Sequence, residues 1–591
     1  MRLVLFVLTV AAAVNGDGEV CRVCKCSMVN ILMKETLGDF DLTGEDAKAW
    51  SPVTMVPDAW GSFLNVACSN GRIGSNWPPI STNGIALELG GTSLEKFPDI
   101  PDAVKMKVFG LTLPGNFITE ISTELDRYKQ LRTLDLSGNR IREVSDHSFS
   151  GAGYILKLDL SGNEIDRIGE WALRPSLLHL NLAGNKIFHI APESLEGLKN
   201  LAYLDLSNNL LMKLPDNFGS TLTKLKYLHL ARNKFEMMPR LTRSLFFINL
   251  SSNNLRSIVL PQIDDLFVLD VSGNDLDDLD NVYEQLSLKV LKADHNNLSR
   301  VGKWKSSELI VLDFSYNNFS LIPEEINSAD LPNLRELFFD GNPLREIKFN
   351  QGNAPFLNLD ALGLSRLGDI PRIDQDTFKG IIVESYVNCS EETGVFVNLS
   401  SNKLREIDQD TFRNYPICSV DLSRNRLDSI SNKLFNWQNS RMVDLQDNPW
   451  NCDCDFQWIV DEYLPHFYKQ KPEILFELRC ASPARFKNRM LMFWYNSTEK
   501  IFCRGPSYVR YEYSENKFFE MWTISMIICI VLSVLIFIVI IAIVVLLFLK
   551  PRRKNGGSGC KTRNRRSKPL FGDLRINPNK KYSEIAQDAF V

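Results

Sequence analysis

In the stretch LRTLDLSGNRIREV, leucine-type residues fall at Leu131, Leu134, Leu136, Ile141 and Val144, with an amide at Asn139. The spacing is L-x-x-L-x-L-x-x-N-x-L. It begins weakly near Ile85, where Thr92 holds the amide slot, then runs through Asn116, Asn139, Asn163, Asn185, Asn209, Asn233, Asn253, Asn274, Asn296, Asn317 and Asn342. It resumes at Asn402, Asn425 and Asn448. Each copy predicts a short strand whose leucines point inward while the intervening residues face out. The chain then turns sharply and exposes backbone groups inside a narrow core, which an amide, both donor and acceptor, can satisfy in its own coil and the next. No coil buries its apolar face alone, so the array is stable only when stacked.

Two outward columns follow from this alternation. Between the last two leucines the chain places Asp135, Asp159, Asn181, Asp205, His229, Asn249, Asp270, Lys292 and Asp313, then later Asp421 and Asp444. Two residues earlier it places Thr133, Lys157, His179, Tyr203, Tyr227, Phe247, Val268, Val290 and Val311. With coils stacked about 4.8 Å apart, Tyr203, Tyr227, Phe247 and Val268 are expected to form one exposed apolar column beside an acidic one containing Asp205, His229 and Asp270. Such a surface suits a protein ligand, aromatic anchors beside charges. The plainer account is that aromatic and β-branched residues favour strands. A glycan at Asn249, beside Phe247, would push a ligand to one side.

The pattern breaks once. In LDALGLSRLGDI, Leu367 stands where asparagine belongs, and the interval to Asn402 contains Cys389. Cys418 lies in the next strand segment, so a Cys389–Cys418 bridge is expected to pin an inserted loop, two free thiols being the alternative.

Two long apolar runs change the picture. Met1 to Gly16 has Arg2, a hydrophobic run and small residues, as a cleaved signal peptide does. Residues 521–549 carry no charge, long enough to span a hydrocarbon core of about 30 Å, with Trp522 at one end and a basic cluster from Lys550 onward. The expectation is a type I single-pass protein of the plasma membrane with its N-terminus outside. The formal net charge of −4 gives no reason to expect nucleic acid, and ten of twelve cysteines lie between Cys21 and Cys503.

The cysteines sit at the two ends of the array. CRVCKC with Cys68, and NPWNCDCDFQW with Cys480 and Cys503, resemble the terminal cysteine caps of extracellular leucine-rich-repeat proteins. That resemblance implies Cys21–Cys26, Cys24–Cys68, Cys452–Cys480 and Cys454–Cys503 bridges. The long interval from Cys26 to Cys68 departs from short caps, and zinc is the rival use of the first cluster. The fold expected is an α/β leucine-rich-repeat solenoid with a curved parallel sheet on its concave face, an irregular, 3-10 or helical convex side, disulfide caps and one transmembrane helix. Its segments are 1–16 signal peptide, 17–84 N-terminal cap, 85–448 repeats, 449–505 C-terminal cap, 506–520 stalk, 521–549 membrane helix and 550–591 cytosolic tail.

N-x-S or N-x-T sequons at Asn249, Asn297, Asn318, Asn388, Asn398 and Asn496 fit secretion. The six histidines pair with no obvious acid and nucleophile, so neither enzyme chemistry nor a cofactor or metal is expected. In the tail, Cys560 offers a palmitoylation site, Tyr582 to Ile585 a Y-x-x-Φ or phosphotyrosine motif, and Val591 a free carboxylate of PDZ-ligand type. The resulting expectation is a cell-surface receptor or adhesion protein that binds an extracellular protein or neighbouring surface protein and recruits a cytosolic adaptor. Two alternatives are an accessory subunit of another receptor or channel, and a Toll-like ectodomain acting as co-receptor.

Overall fold

A computed structural model describes the strands at 25–31 and 61–67 and, with short gaps, residues 84–503. From Ile85–Glu88 to Met442–Asp444 each coil contributes one short strand, parallel to and in register with the next, within an 18-stranded sheet. Within this sheet, among the described residues, Lys25–Ile31 and Gly61–Ala67 alone pair antiparallel, and the second of these joins Ile85–Glu88 in parallel. The leucines of every coil are buried between this sheet and the outer wall.

The amides hold the coils together. Asn139 is buried; its Nδ2 donates to the carbonyls of Leu113 and Leu136, both at 2.9 Å, and its Oδ1 accepts the Ile118 N–H at 3.1 Å. One side chain thus closes its own turn and ties it to the coil before. The same three bonds recur at Asn209 with Leu182, Leu206 and Ile187. At the start of the array Thr92 stands in, donating through N and Oγ1 to Asn116 Oδ1. At Leu367 the amide is missing, and its buried side chain leaves only the backbone N–H, which donates to Asn402 Oδ1 at 2.7 Å. The next link runs from Asn402 to the Leu364 carbonyl across 38 residues of chain.

A requirement invisible in the leucine pattern sits one residue before each asparagine slot, the one held by Leu367 included. That position adopts a left-handed conformation, as glycine at Gly138 (φ 62°) and as larger residues at Arg232 (53°), His295 (53°), Tyr316 (52°) and Arg366 (51°). Such backbone costs an L-residue of order 1 kcal/mol, and the amide bonds that follow hold it in place.

The outer side is built from 3-10 turns such as Glu124–Arg127 and Pro192–Leu195 and two-residue strands such as Arg167–Ile168 and His189–Ile190. Among the described residues its α-helices, Asp102–Lys105 and Phe218–Thr221, span four residues each. Aromatic residues fill its interior, with Phe378 and Phe412 centroids 5.4 Å apart and Phe412 stacked on Phe435 at 4.6 Å.

Cys389 and Cys418 form a disulfide, with Cα atoms 5.5 Å apart, and Arg441 Nη2 donates to the Gly394 carbonyl beside it. The last coil is closed by a cap in which Cys452 bonds to Cys480, while Cys454 and Cys503 are both disulfide-bonded. Trp450 Nε1 donates to the Leu445 carbonyl and Tyr463 Oη to that of Val443, so the cap's aromatic rings seal the open end of the core. The expected signal peptide, Cys21, Cys24 and Cys68, the side chain of Cys26, Asn388, Asn496, residues 521–549 and the tail positions Cys560, Tyr582, Ile585 and Val591 lie outside the described residues. Among the described residues no helix is long and apolar enough to cross a membrane.

Candidate functional site

Strand register brings the outward columns together as ladders. His179 pairs with Tyr203, Tyr203 with Tyr227, Tyr227 with Phe247 and Phe247 with Val268. The neighbouring column runs Asn181, Asp205, His229, Asn249, Asp270 and Lys292 in the same register. His179 stacks on Tyr203 at 4.1 Å, and the Tyr203–Tyr227 and Tyr227–Phe247 centroids are each 6.3 Å apart. His229 inserts between columns, 5.2 Å from Tyr203 and 4.7 Å from Phe247.

The apolar column is less open than its alternation predicts. Tyr227 is 7% and Phe247 2% exposed, while Tyr203 and Val268 are half-buried. Rings as wide as the coil spacing tilt over one another and over the adjacent column, so they shield each other. What faces outward is a third column, one residue earlier. There Phe246 and Phe267, both half-buried, stack at 4.3 Å, and Lys289 Nζ lies 4.4 Å over the Phe267 ring. Phe246 also meets Tyr227 at 5.8 Å. The position directly after the first leucine of the repeat carries these residues, and a reading confined to two columns passes over them.

The acidic column has a structural duty first. Oδ1 of Asp205 accepts the Ser207 N–H, that of Asp270 the Ser272 N–H and that of Asp313 the Ser315 N–H, at 2.8 to 2.9 Å. Asn249 does the same with Ser251 and is 5% exposed, between His229 and Asp270 in the ladder. An Asp or Asn followed two residues on by a donor N–H is an Asx turn, so these side chains cap the bend after each strand; in Asp159 the second oxygen also accepts the Asn181 Nδ2 at 3.0 Å. At Phe338 and Gly363 the column lacks such a side chain. There Asp340, displaced two residues along, reaches to the next coil and accepts the Ser365 N–H at 2.6 Å.

Crowding sets the electrostatics. Burial raises Asp270 to about 6 and Asp313 to about 7, with Asp294 adding to the latter, while the bonds from Ser272 and Ser315 pull the other way. Burial lowers His179 to about 3, helped by Lys157 and His229, so that ring is neutral against Tyr203. Burial likewise holds the Tyr203 hydroxyl above its usual range. The sheet face is thus aromatic at its centre, with a neutral His179 ring stacked at one end of the ladder.

Of the sequons, Asn297 and Asn318 are exposed and Asn398 is half-buried, its Oδ1 accepting from Ser400. Among the described residues no group of His, Cys, Asp and Glu side chains is arranged to hold a metal ion.

Comparison with known proteins agrees with the repeat. A leucine rich repeat model matches residues 111–165, 129–187 and 175–235, and a second one matches 308–329. Podocan of Mus musculus is 32% identical over 381 residues, 58% of this chain and 60% of podocan. The leucine-rich repeat-containing G-protein coupled receptor 4 of Bos taurus is 37% identical over 82 residues, 14% of this chain and 8% of the receptor. The chain therefore spans less than two thirds of the length of either relative. A leucine-rich-repeat protein of Leptospira interrogans has a TM-score of 0.49 at 22% identity, over 66% of this chain and 94% of that one. The family matches and the asparagine ladder together make the chain a leucine-rich-repeat solenoid with disulfides. Proteins built this way are binding scaffolds, and neither the family models nor these relatives indicate an enzyme.

Proposed function

We propose that this solenoid is the extracellular part of a single-pass cell-surface receptor or adhesion protein, and that it captures a protein ligand on the sheet face between the coils of Asn185 and Asn296. The observation that carries the reading is the continuous aromatic ladder from His179 to Phe267, closed by Lys289. Stacked rings keep their shape without a ligand, so little side-chain entropy is lost on binding. Half-buried Tyr203, Phe246 and Phe267 supply contact area, and the Asp159 and Asp205 carboxylates select among partners. The uncharged run 521–549 and the basic residues after it support an anchor with this face outside.

The test displays the full-length chain on cells and screens it against a library of soluble extracellular protein domains. Tyr203→Ala with Phe246→Ala is expected to abolish capture of the domains the parent chain binds, at unchanged surface level. Undiminished capture by the double variant would place the site elsewhere.

A further inference from the structure

The edge by which the chain enters each strand, opposite the asparagine turns, carries one sign of charge over half of the array. The two places just ahead of the first leucine read Lys129–Gln130, Gly153–Tyr154, Pro175–Ser176, Lys199–Asn200, Thr223–Lys224 and Arg243–Ser244 in six successive coils. Arg174 stands one place before its pair, and no carboxylate occupies these places until Asp264–Asp265 in the next coil. Side-chain bonds from coil to coil keep the places in line. Ser176 Oγ donates to the Gly153 carbonyl at 3.1 Å and Asn200 Nδ2 to that of Pro175 at 2.7 Å. Lys224 Nζ donates to Asn200 Oδ1 and Ser244 Oγ to the Leu225 carbonyl, both at 2.8 Å.

Lys129, Arg174, Lys199, Lys224 and Arg243 are all exposed, and among the described residues none of the five is in an ion pair. Lys226, one column further in, does reach a carboxylate, Asp265 at 4.0 Å, where the row ends. Asp126 and Glu196, three residues ahead of Lys129 and Lys199, sit on the outer turns. The chain as a whole has a net charge of −4, so the row is a local concentration of cations and not a general excess. The exposed sequons Asn297 and Asn318 follow their asparagine turns, on the other edge, and glycans there leave the row open.

We propose that this row binds a linear sulfated polysaccharide of the glycosaminoglycan class, laid along the solenoid across the coils of Asn139 to Asn253. The row is about 24 Å long, five coil steps of about 4.8 Å, and only one or two residues wide. A folded partner covers roughly 800 Å² and needs an apolar centre, whereas the large apolar side chain of this row is Tyr154 alone, with Arg132 lying 4.9 Å over its ring. A flexible chain with an anion on each unit meets a cation in nearly every coil. It also gains by releasing condensed counterions, as polyanionic nucleic acids do. Asp264 and Asp265 repel it and set the end of the track. That such a polysaccharide reaches the row rests on the extracellular placement proposed above; the contact itself does not, and can be measured in solution.

Fluorescence polarisation of a labelled heparin octasaccharide, titrated with the purified full-length chain in detergent, tests this. Every chain carries glutamine in place of the tail cations from Arg552 to Lys568, so that the tail offers no second basic site. The parent is expected to bind, with an affinity that falls steeply as salt is raised. Lys199→Glu with Lys224→Glu and Arg243→Glu weakens binding by about tenfold or more and flattens the salt dependence. Lys213→Glu with Lys234→Glu and Arg256→Glu makes the same change of charge on the asparagine edge, beyond the screening length of about 8 Å, and leaves binding within about threefold. Tyr203→Ala with Phe246→Ala also leaves it unchanged, which separates the row from the sheet-face site. Far-UV circular dichroism confirms that each variant is folded. A parent that does not bind, or equal losses in the two triple variants, would overturn the proposal. So would duplex DNA or phosphatidylserine vesicles that displace the octasaccharide as well as unlabelled heparin does at equal charge.

Discussion

Gly394 lies against the sulfur of Cys418 so closely that any Cβ at residue 394 would overlap Sγ and Cβ of that half-cystine. Its φ of 96° also lies where L-residues rarely go. Glycine here is what lets the Cys389–Cys418 bridge and the strand Val395–Asn398 share one place. Gly394→Ala is expected to cost about 1–3 kcal/mol, read as a lower unfolding midpoint. It also raises the fraction of chains with reactive thiols at Cys389 and Cys418, measured by alkylation and mass spectrometry. An unchanged midpoint with a fully formed bridge would contradict this.

Removing one ladder amide tests what the asparagines do. Asn209→Ala strands the carbonyls of Leu182 and Leu206 and the N–H of Ile187, all in buried surroundings. At about 1–3 kcal/mol for each unsatisfied buried group, a loss of about 3 kcal/mol or more is expected in denaturant unfolding. The exposed neighbour Asn208, changed to glycine, should cost little or add stability, because that position is left-handed at φ 54°.

These two cases also mark how far the sequence carries. The leucine and asparagine slots were legible because each is a chemical demand repeated in every coil, as at Leu136 and Asn139. The left-handed position was not, because residues as different as Gly138, Arg232 and Tyr316 fill it and only the backbone is common to them. Alternation correctly set Tyr227 and Phe247 on the outward side of the sheet. It could not give depth, which depends on rings from three columns tilting together. The column of aspartates read as a ligand surface, yet the D-x-S spacing in LDLS already encodes the turn bond seen at Asp205 and Ser207.

Acidity has a sign that can be worked out. Burial raises Asp270 to about 6, Asp313 to about 7 and Asp444 to about 6 in the folded chain, above the unfolded value of about 3.9. Between those limits the folded state binds more protons, so stability falls as pH rises from about 4 to 7. His179, lowered to about 3, works the opposite way below its unfolded value of about 6.5. The clean measurement is therefore a difference. Asp270→Asn with Asp313→Asn, which keeps an Oδ1 for the turn as Asn181 and Asn249 do, should raise the unfolding midpoint at pH 7.5 and leave it nearly unchanged at pH 4.5. An equal effect at both pH values would show that the two carboxylates are not crowded by burial.

Glycan mapping separates the sequons. Exposed Asn297 and Asn318 are expected to be occupied, and Asn249 to be bare in the folded protein, because its side chain is buried with Oδ1 committed to Ser251. Peptide mass spectrometry after deglycosylation in heavy-oxygen water reads this directly. A mass shift at Asn249 in secretion-competent chains would refute the placement.

Leu367 gives the solenoid a weak joint. Elsewhere, adjoining coils are fastened by a buried amide; between the coils of Asn342 and Leu367 that amide is absent, leaving the strand bonds and Asp340 on the Ser365 N–H, while Asn402 restores the fastening one coil later. An array coupled only between neighbours parts at its loosest coupling. Pulled end to end, the protein would yield there first, parting into two stiff rods, and the Cys389–Cys418 bridge, with both its halves beyond Leu367, would stay within the second rod.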